Sequence, residues 1–182
     1  MTGLTTINGT FAIDPTHSRL GFVVRHAMVS KVRGHFNEFE GTASGDGANP
    51  ESAQINVTAQ INSFDSGNAQ RDEHVRGADF LDAETHPTLT FTSTDVKIVD
   101  EDTLEVTGDL TIKGTTQQVT IPFDFAGQAV DVYGMTRIGF EGTTKIKRSD
   151  FGLTWNAALE TGGVMVSDDV TLEIEIAAVK QA

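Results

Sequence analysis

Cysteine is absent from the 182 residues. That excludes disulfides, thiolate metal ligands, iron–sulfur ligation and a cysteine nucleophile. Tryptophan and tyrosine occur once each, too few for the paired aromatic girdles of a membrane barrel. No run of apolar residues approaches the length of a membrane-spanning helix. Positive charge is scarce: 13 Lys and Arg stand against 26 Asp and Glu, a formal net charge of −13. A surface of that average charge argues against nucleic acid, and against an anionic membrane, as partner. The opening residues, MTGLTTINGTF, show no basic region followed by an apolar run. A soluble cytoplasmic protein without stable membrane insertion is the expectation.

What is present is an apolar fraction of 38% that includes 11 Phe, enough for one core and too much for a disordered chain. A single domain over residues 1–182 is expected. Its period is two. Ile55, Val57, Ala59 and Ile61 alternate with Gln54, Asn56, Thr58, Gln60 and Asn62, as in a half-buried strand. Leu20, Phe22, Val24 and His26 share one face, and Val32, Gly34 and Phe36 continue in phase through a strand read as Lys31 to Phe39. Leu89, Phe91 and Ser93 alternate with threonines, after which Val96 and Ile98 have the opposite parity. A bulge near Asp95 accounts for the slip. Leu104, Val106, Gly108, Leu110 and Ile112 form another face, followed by a turn at Gly114. Val119, Ile121, Phe123 and Phe125 follow, then a long strand over Val132 to Ile146 that includes Phe140, and a last one with Val170, Leu172, Ile174 and Ile176.

One segment reads as helix. Asn68 can cap Ala69 to Arg76, and Gly77 can end it. Phe64, Val75 and Phe80 around it would cover one end of a barrel. Ser44 to Pro50 reads as a long turn, and Asp100-Glu101-Asp102 as a solvated hairpin tip. The fold class is therefore all-β: an extended, eight-stranded, antiparallel up-and-down barrel with one short helix near residues 69–77. Eight strands enclose either a filled core or a cavity for one small ligand.

Motifs for chemistry are few. The five histidines, His17, His26, His35, His74 and His86, lack the spacing of a zinc site. Ser18 and Ser149 have no nucleophile elbow. Arg71-Asp72-Glu73-His74 could form an acid/base pair at a pocket mouth, or a helix-capping network. The inward face offers the remaining alternatives. Leu20, Phe22, Val24, Phe36, Val57, Ile61, Phe91, Phe123, Phe140, Leu172 and Ile174 either pack solidly or line an apolar cavity. In the second case each buried CH₂ of a hydrocarbon contributes about 0.8 kcal/mol. His26, Arg71 and Arg148 are then the candidates for holding a polar head.

These stretches carry a resemblance. Phe11 to Ser18, Gly21 to His26 and Val32 to Gly41 are its first three pieces. Arg71-Asp72-Glu73-His74-Val75-Arg76 through Asp82, with Pro87 and Phe91 to Ser93, is the most specific. Val106 to Gly114, Arg148 to Gly152 and Asp169 to Ile176 complete the ordered set. The chain resembles the YceI-like family of polyisoprenoid-binding, lipocalin-like proteins. The resemblance implies a lipocalin-like barrel that binds a long-chain isoprenoid, an isoprenoid quinone or a fatty lipid for carriage, storage or sequestration. It also implies a homodimer, no catalytic residue, no metal and no cofactor beyond the bound lipid. Two other readings stand beside it: an enzyme that modifies a lipid with histidines or a metal at the barrel mouth, and a ligand-free, stress-related barrel.

Overall fold

The protein is seen in a computed structural model that describes residues 3–157, 159 and 163–182. The described residues form eleven strands, one α-helix and four short 3-10 turns. In chain order the strands are β1 (Asn8–Ile13), β2 (Arg19–His26), β3 (Ser30–Phe36), β4 (Phe39–Asp46), β5 (Asn49–Gln60) and β6 (Phe64–Asp65). Helix α1 (Ala69–Arg76) precedes β7 (Thr88–Ile98), β8 (Thr103–Ile112), β9 (Thr115–Val130), β10 (Thr136–Lys147) and β11 (Asp169–Lys180). Neighbours pair antiparallel in the order β1-β4-β5-β7-β8-β9-β10-β11, and β11 returns to β1. The ring is thus a closed barrel of eight strands, as the alternation predicts, and closure leaves no edge exposed in the ring.

Three of the eight strands are longer than the ring and break once. β1 and β2 are successive halves of one run, as are β3 with β4 and β5 with β6. β2, β3 and β6 extend the sheet beyond the ring from β11. This elongates the barrel at one end, here called the lower end. It carries the β2–β3 turn, the β8–β9 turn at Lys113-Gly114 and the 148–168 connection. At that end β6 and β7 do not pair, and residues 66–87, with α1, fill the gap.

The first break shows why the sequence reads Asp14-Pro15-Thr16-His17-Ser18. β11 must serve β1 through Ala178 to Lys180 and β2 through Thr171 to Glu175. Between them, Ala177 is bonded by other means. Asp14 N–H donates to its carbonyl at 2.8 Å, the Ser18 hydroxyl donates to it at 3.1 Å, and Ala177 N–H donates to Ser18 Oγ at 2.9 Å. Pro15, lacking an N–H, starts the 3-10 turn between the two strands. The Asp14 carboxylate accepts from Thr16 N–H at 3.0 Å and from its hydroxyl at 2.6 Å, from His17 Nδ1 at 2.8 Å and from Arg137 Nη1 at 2.8 Å.

Helix α1 has the predicted bounds. Asn68 Oδ1 accepts from Arg71 N–H at 3.0 Å, and Gly77 closes the end. The predicted bulge is present as a register shift between Ser93 and Asp95, where the freed Ser93 hydroxyl accepts from Ile55 N–H at 2.8 Å. Three boundaries differ from the sequence reading. The Val132 to Ile146 strand begins only at Thr136, because the Asp131 carboxylate accepts from the N–H groups of Tyr133 and Met135 and folds 131–135 into a turn. The long turn over Ser44 to Pro50 is the two residues Gly47 and Ala48, since β4 and β5 run further than their polar sequences suggest. The Lys31 to Phe39 strand breaks at Asn37 and Glu38, where the barrel run kinks between β3 and β4.

The Thr16 hydroxyl, Arg137 and His17, in that order, hold the Asp14 carboxyl far below the usual carboxylate range. A carboxyl depressed in the folded state contributes stability above its unfolded pKa of about 4, and that contribution is lost as pH falls below it. Asp14→Asn is therefore expected to destabilise the fold by on the order of 1 kcal/mol at neutral pH. Urea titrations across pH should show the deficit shrinking below about pH 4.

Candidate functional site

Alternation around a closed ring sends every second side chain inward. Two chambers result. The upper, of about 280 Å³, is walled almost entirely by carbon, with Leu20, Val57, Phe91, Phe123, Phe140 and Ile174 among its lining residues. Leu4 and Ile7 reach it from the N-terminal 3-10 turn, which Gly47 N–H anchors by donating to the Ile7 carbonyl at 2.6 Å. The lower, of about 750 Å³, lies in the elongated end and contains Val24, Val32, Phe64, Val75, Phe80 and Trp155 in its wall. Phe22, Phe36, Leu89, Ile112 and Leu172 line both. They form a waist at the middle of the interior, where the walls of the two chambers meet.

Glycine opposite phenylalanine keeps bulk out of this interior. Phe22 pairs with Gly34, and Phe123 with Gly142. A Cβ at Gly34 would lie 2.5 Å from the Phe22 ring, and one at Gly142 would lie 2.6 Å from the Phe123 ring. A Cβ at Gly108 would lie equally close, 2.5 Å, to Phe91. Each ring therefore lies down on the wall over a bare backbone instead of standing into the lumen. Phe22 also stacks on Phe64 with centroids 5.1 Å apart, which fixes the waist.

The lower mouth carries the polar groups. Among the described residues its charged or titratable lining groups are Arg25, His26, Arg71, His74 and Arg148, with no acid among them. His26 stands exposed at the rim, where its backbone bridges to Val166. His74 Nε2 bonds Asp79 at 3.0 Å, and its ring meets Phe80 and Trp155 edge-on. Arg71 donates from Nε to Ser66 Oγ and from Nη2 to the Ser66 carbonyl, both at 2.7 Å, while Nη1 has no partner among the described residues. Asp72 is buried and accepts from Ser66 N–H and Oγ–H. The Arg71-Asp72 pair thus closes the helix start on Ser66, which is the capping alternative, and still leaves one guanidinium edge beside the chamber.

Two sequence candidates take other places. Arg148 lines the chamber but is 6% exposed, and its guanidinium donates to four carbonyls: Ser167 at 2.9 Å, Leu153 at 2.6 Å, Trp155 at 2.9 Å and Val166 at 3.2 Å. It is a clamp that holds 153–157 and 163–167 against the lower chamber, not a free donor for a head group. Burial draws it below its ordinary pKa, with Asp168 opposing. Ile61 continues the inward parity of β5 but starts the 3-10 turn after it, and packs in the core with Phe36, Phe39 and Phe64. It is absent from both chamber walls. The sequence reading missed Leu153, Trp155, Met165 and Val166, because their segment has no period to reveal a face. The histidines do not converge: His17 bonds Asp14 and His35 bonds Asn37. Among the described residues no three His, Asp or Glu are placed to hold a metal.

A closed, elongated eight-stranded barrel around an apolar passage with a polar mouth is a lipocalin-like binding architecture. Residues 11–178 match the YceI-like domain, and the chain belongs to that family. It is 40% identical over 165 residues to protein YceI of Escherichia coli, covering 91% of this chain and 83% of that protein. It is 39% identical over 165 residues to a UPF0312 protein of Azotobacter vinelandii, with the same coverage of 91% and 83%. Among solved structures, Burkholderia cenocepacia BcnA superposes with a TM-score of 0.79 at 28% identity, over 91% of this chain and 98% of that one. The Campylobacter jejuni YCEI protein gives 0.75 at 32% identity, over 87% and 90%. A polyisoprenoid-binding domain from Saccharophagus degradans gives 0.72 at 19% identity, over 94% and 98%, a likeness of fold.

Arg148→Met leaves four carbonyls in a largely buried cage without their donor. Chemical denaturation should show a loss of about 3 kcal/mol. The sole tryptophan, Trp155, lies inside the clamped segment and should report its loosening by a red-shifted emission before global unfolding.

Proposed function

We propose that this protein binds one long-chain polyisoprenoid or related amphiphile, with its tail threaded through the waist into the upper chamber and its head at the lower mouth. The observation that carries this reading is the pair of apolar chambers whose walls meet at a shared waist. The polyisoprenoid-binding description of the Saccharophagus degradans neighbour supports the choice of ligand class. A tail held by dispersion and burial alone needs no directional contact, and a dozen buried CH₂ groups contribute on the order of 10 kcal/mol before ordering costs. Branched isoprenoid tails suit a wall of aliphatic groups and recumbent rings.

The head is anionic or strongly hydrogen-bond accepting in this reading. Among the described residues every charged or titratable group in the mouth wall is basic, in a chain whose acids outnumber its Lys and Arg two to one. With Arg148 committed to carbonyls, the free Nη1 edge of Arg71, with Arg25 and His26, remains to meet a phosphate, carboxylate or quinone oxygen. Carriage, storage or sequestration, without chemistry on the lipid and without a further cofactor, is the role we assign.

Native mass spectrometry of protein purified from its own host, followed by solvent extraction, tests this directly. One co-purified isoprenoid per chain is the expected result, and the same spectrum reads the oligomeric state. Phe22→Trp at the waist and Val57→Trp in the upper chamber should each cut uptake of added polyprenyl lipid at least tenfold while leaving the melting temperature nearly unchanged. Arg71→Gln should weaken charged lipids more than neutral ones. A clean apo mass with no uptake by the wild type would remove the reading.

A further inference from the structure

The turn between β2 and β3 does not look like one chosen for turning. Val29 N–H donates to the His26 carbonyl at 3.2 Å, and the two central residues, Ala27 and Met28, have φ of 50° and 64°. Such a turn favours Asn and Gly, because side chains with a Cβ are strained there. Here its tip is apolar: Met28 is 59% and Val29 81% exposed. Val164 is exposed beside it. The two segments touch, since Ala27 N–H donates to the Met165 carbonyl at 2.7 Å and Gly163 abuts the Met28 sulfur.

Charge is concentrated on the same hairpin. From Pro15 to Asn37 the sequence contains no Asp or Glu, yet it holds four of the 13 Lys and Arg: Arg19, Arg25, Lys31 and Arg33. Residues 163–167 lack acids, and the two that follow are engaged elsewhere, Asp168 with Ser149 and Asp169 with Lys147. Arg25, Lys31 and Arg33 are exposed and form no salt bridge among the described residues. The net charge of −13 that argues against an anionic surface is an average, and this hairpin is its exception. The opposite end also has an exposed apolar turn, at Val132 and Tyr133, but there Asp131 and the Asp100-Glu101-Asp102 tip supply negative charge.

The hairpin adjoins the lower mouth, whose wall includes Arg25, His26, Met165 and Val166. We propose that the β2–β3 hairpin is a docking element for an anionic lipid bilayer. Met28, Val29 and Val164 dip to the headgroup–acyl boundary, Arg25, Lys31 and Arg33 lie on the anionic headgroups, and the mouth of the passage faces the membrane that exchanges lipid with it. Docking is peripheral and reversible, because three apolar side chains immerse little area and no described helix is long and apolar enough to span. The purpose of docking rests on the lipid-binding reading. The docking itself does not, and it is measured separately.

The test is sedimentation of the full-length protein with phosphatidylglycerol-containing vesicles against pure phosphatidylcholine vesicles, at low and high salt. Binding to the anionic vesicles that falls steeply with salt is expected. Each basic residue near an anionic surface strengthens binding about fivefold, so Lys31→Glu with Arg33→Glu should weaken it by more than about tenfold. Met28→Asp with Val29→Asp should do the same. Melting temperature and uptake of polyprenyl lipid from detergent serve as controls, and the charge-reversal pair leaves the strained tip untouched if the tip variant misfolds. Because the chain has no cysteine, a polarity-sensitive dye on Val29→Cys or on Val132→Cys reports which end enters the bilayer. Absence of wild-type binding, binding that ignores lipid charge, variants that bind like the wild type, or a dye response at Val132→Cys alone each overturns the proposal. Failure of lipid uptake from detergent, with vesicle binding intact, would count against the cavity reading and leave docking standing.

Discussion

The structure depends on one strand edge being shared. β11 has to close the ring with β1 and extend the sheet with β2, and the chain can leave one and join the other only if Ala177 keeps its hydrogen bonds in the gap. Ser18 and the Asp14 backbone provide them, while the Asp14 carboxylate ties the turn to Arg137 on β10. An unpaired backbone group at this corner would be costly. With the corner satisfied, the barrel can be longer than its ring, and the extra length is where the lower chamber lies. Sheet closure, elongation and a second chamber are consequences of the same few bonds.

The interior follows from where bulk is withheld. Eight strands ordinarily enclose a space that side chains fill. Here glycines face Phe22, Phe91 and Phe123, and the rings settle against the wall. An aromatic side chain thereby contributes apolar surface without occupying the axis. The same arrangement fixes the waist, because Phe22 is held by Phe64 and Gly34 and cannot rise without displacing them. Binding of a flexible tail and rigidity of the wall are therefore compatible in one barrel.

Polar groups divide the work. Arg148 is spent on carbonyls of its own chain and so holds the wall of the lower chamber, while Asp72 is spent on Ser66 and closes the start of α1. Arg71, Arg25 and His26 remain oriented to the mouth. Charge averaged over the chain conceals this sorting. A strongly acidic protein presents a basic mouth wall and a basic β2–β3 hairpin among the described residues, although Asp150, Asp168 and Asp169 lie at the same end.

Much was legible in the chain itself. Period-two alternation identified the strands whose side chains line the passage, because in a closed ring parity alone decides which face is inside. The bulge at Asp95 was visible as a parity change, and α1 as a cap and a stop, since both signals are local. The ordered motifs pointed to the family. What the sequence could not decide was how far the polar ends of β4 and β5 run toward their turn, because no apolar face marks them, or that 131–135 turns on Asp131, because Val132 reads as the start of a strand. Arg148 looked like a ligand for a head group; only the fold shows four carbonyls converging on it from residues 5 to 19 positions away. The aperiodic segment around Trp155 became chamber wall by the same clamp. Local periodicity determines which residues point inward, whereas the size and openness of the interior, and the employment of each buried charge, are decided by long-range pairing.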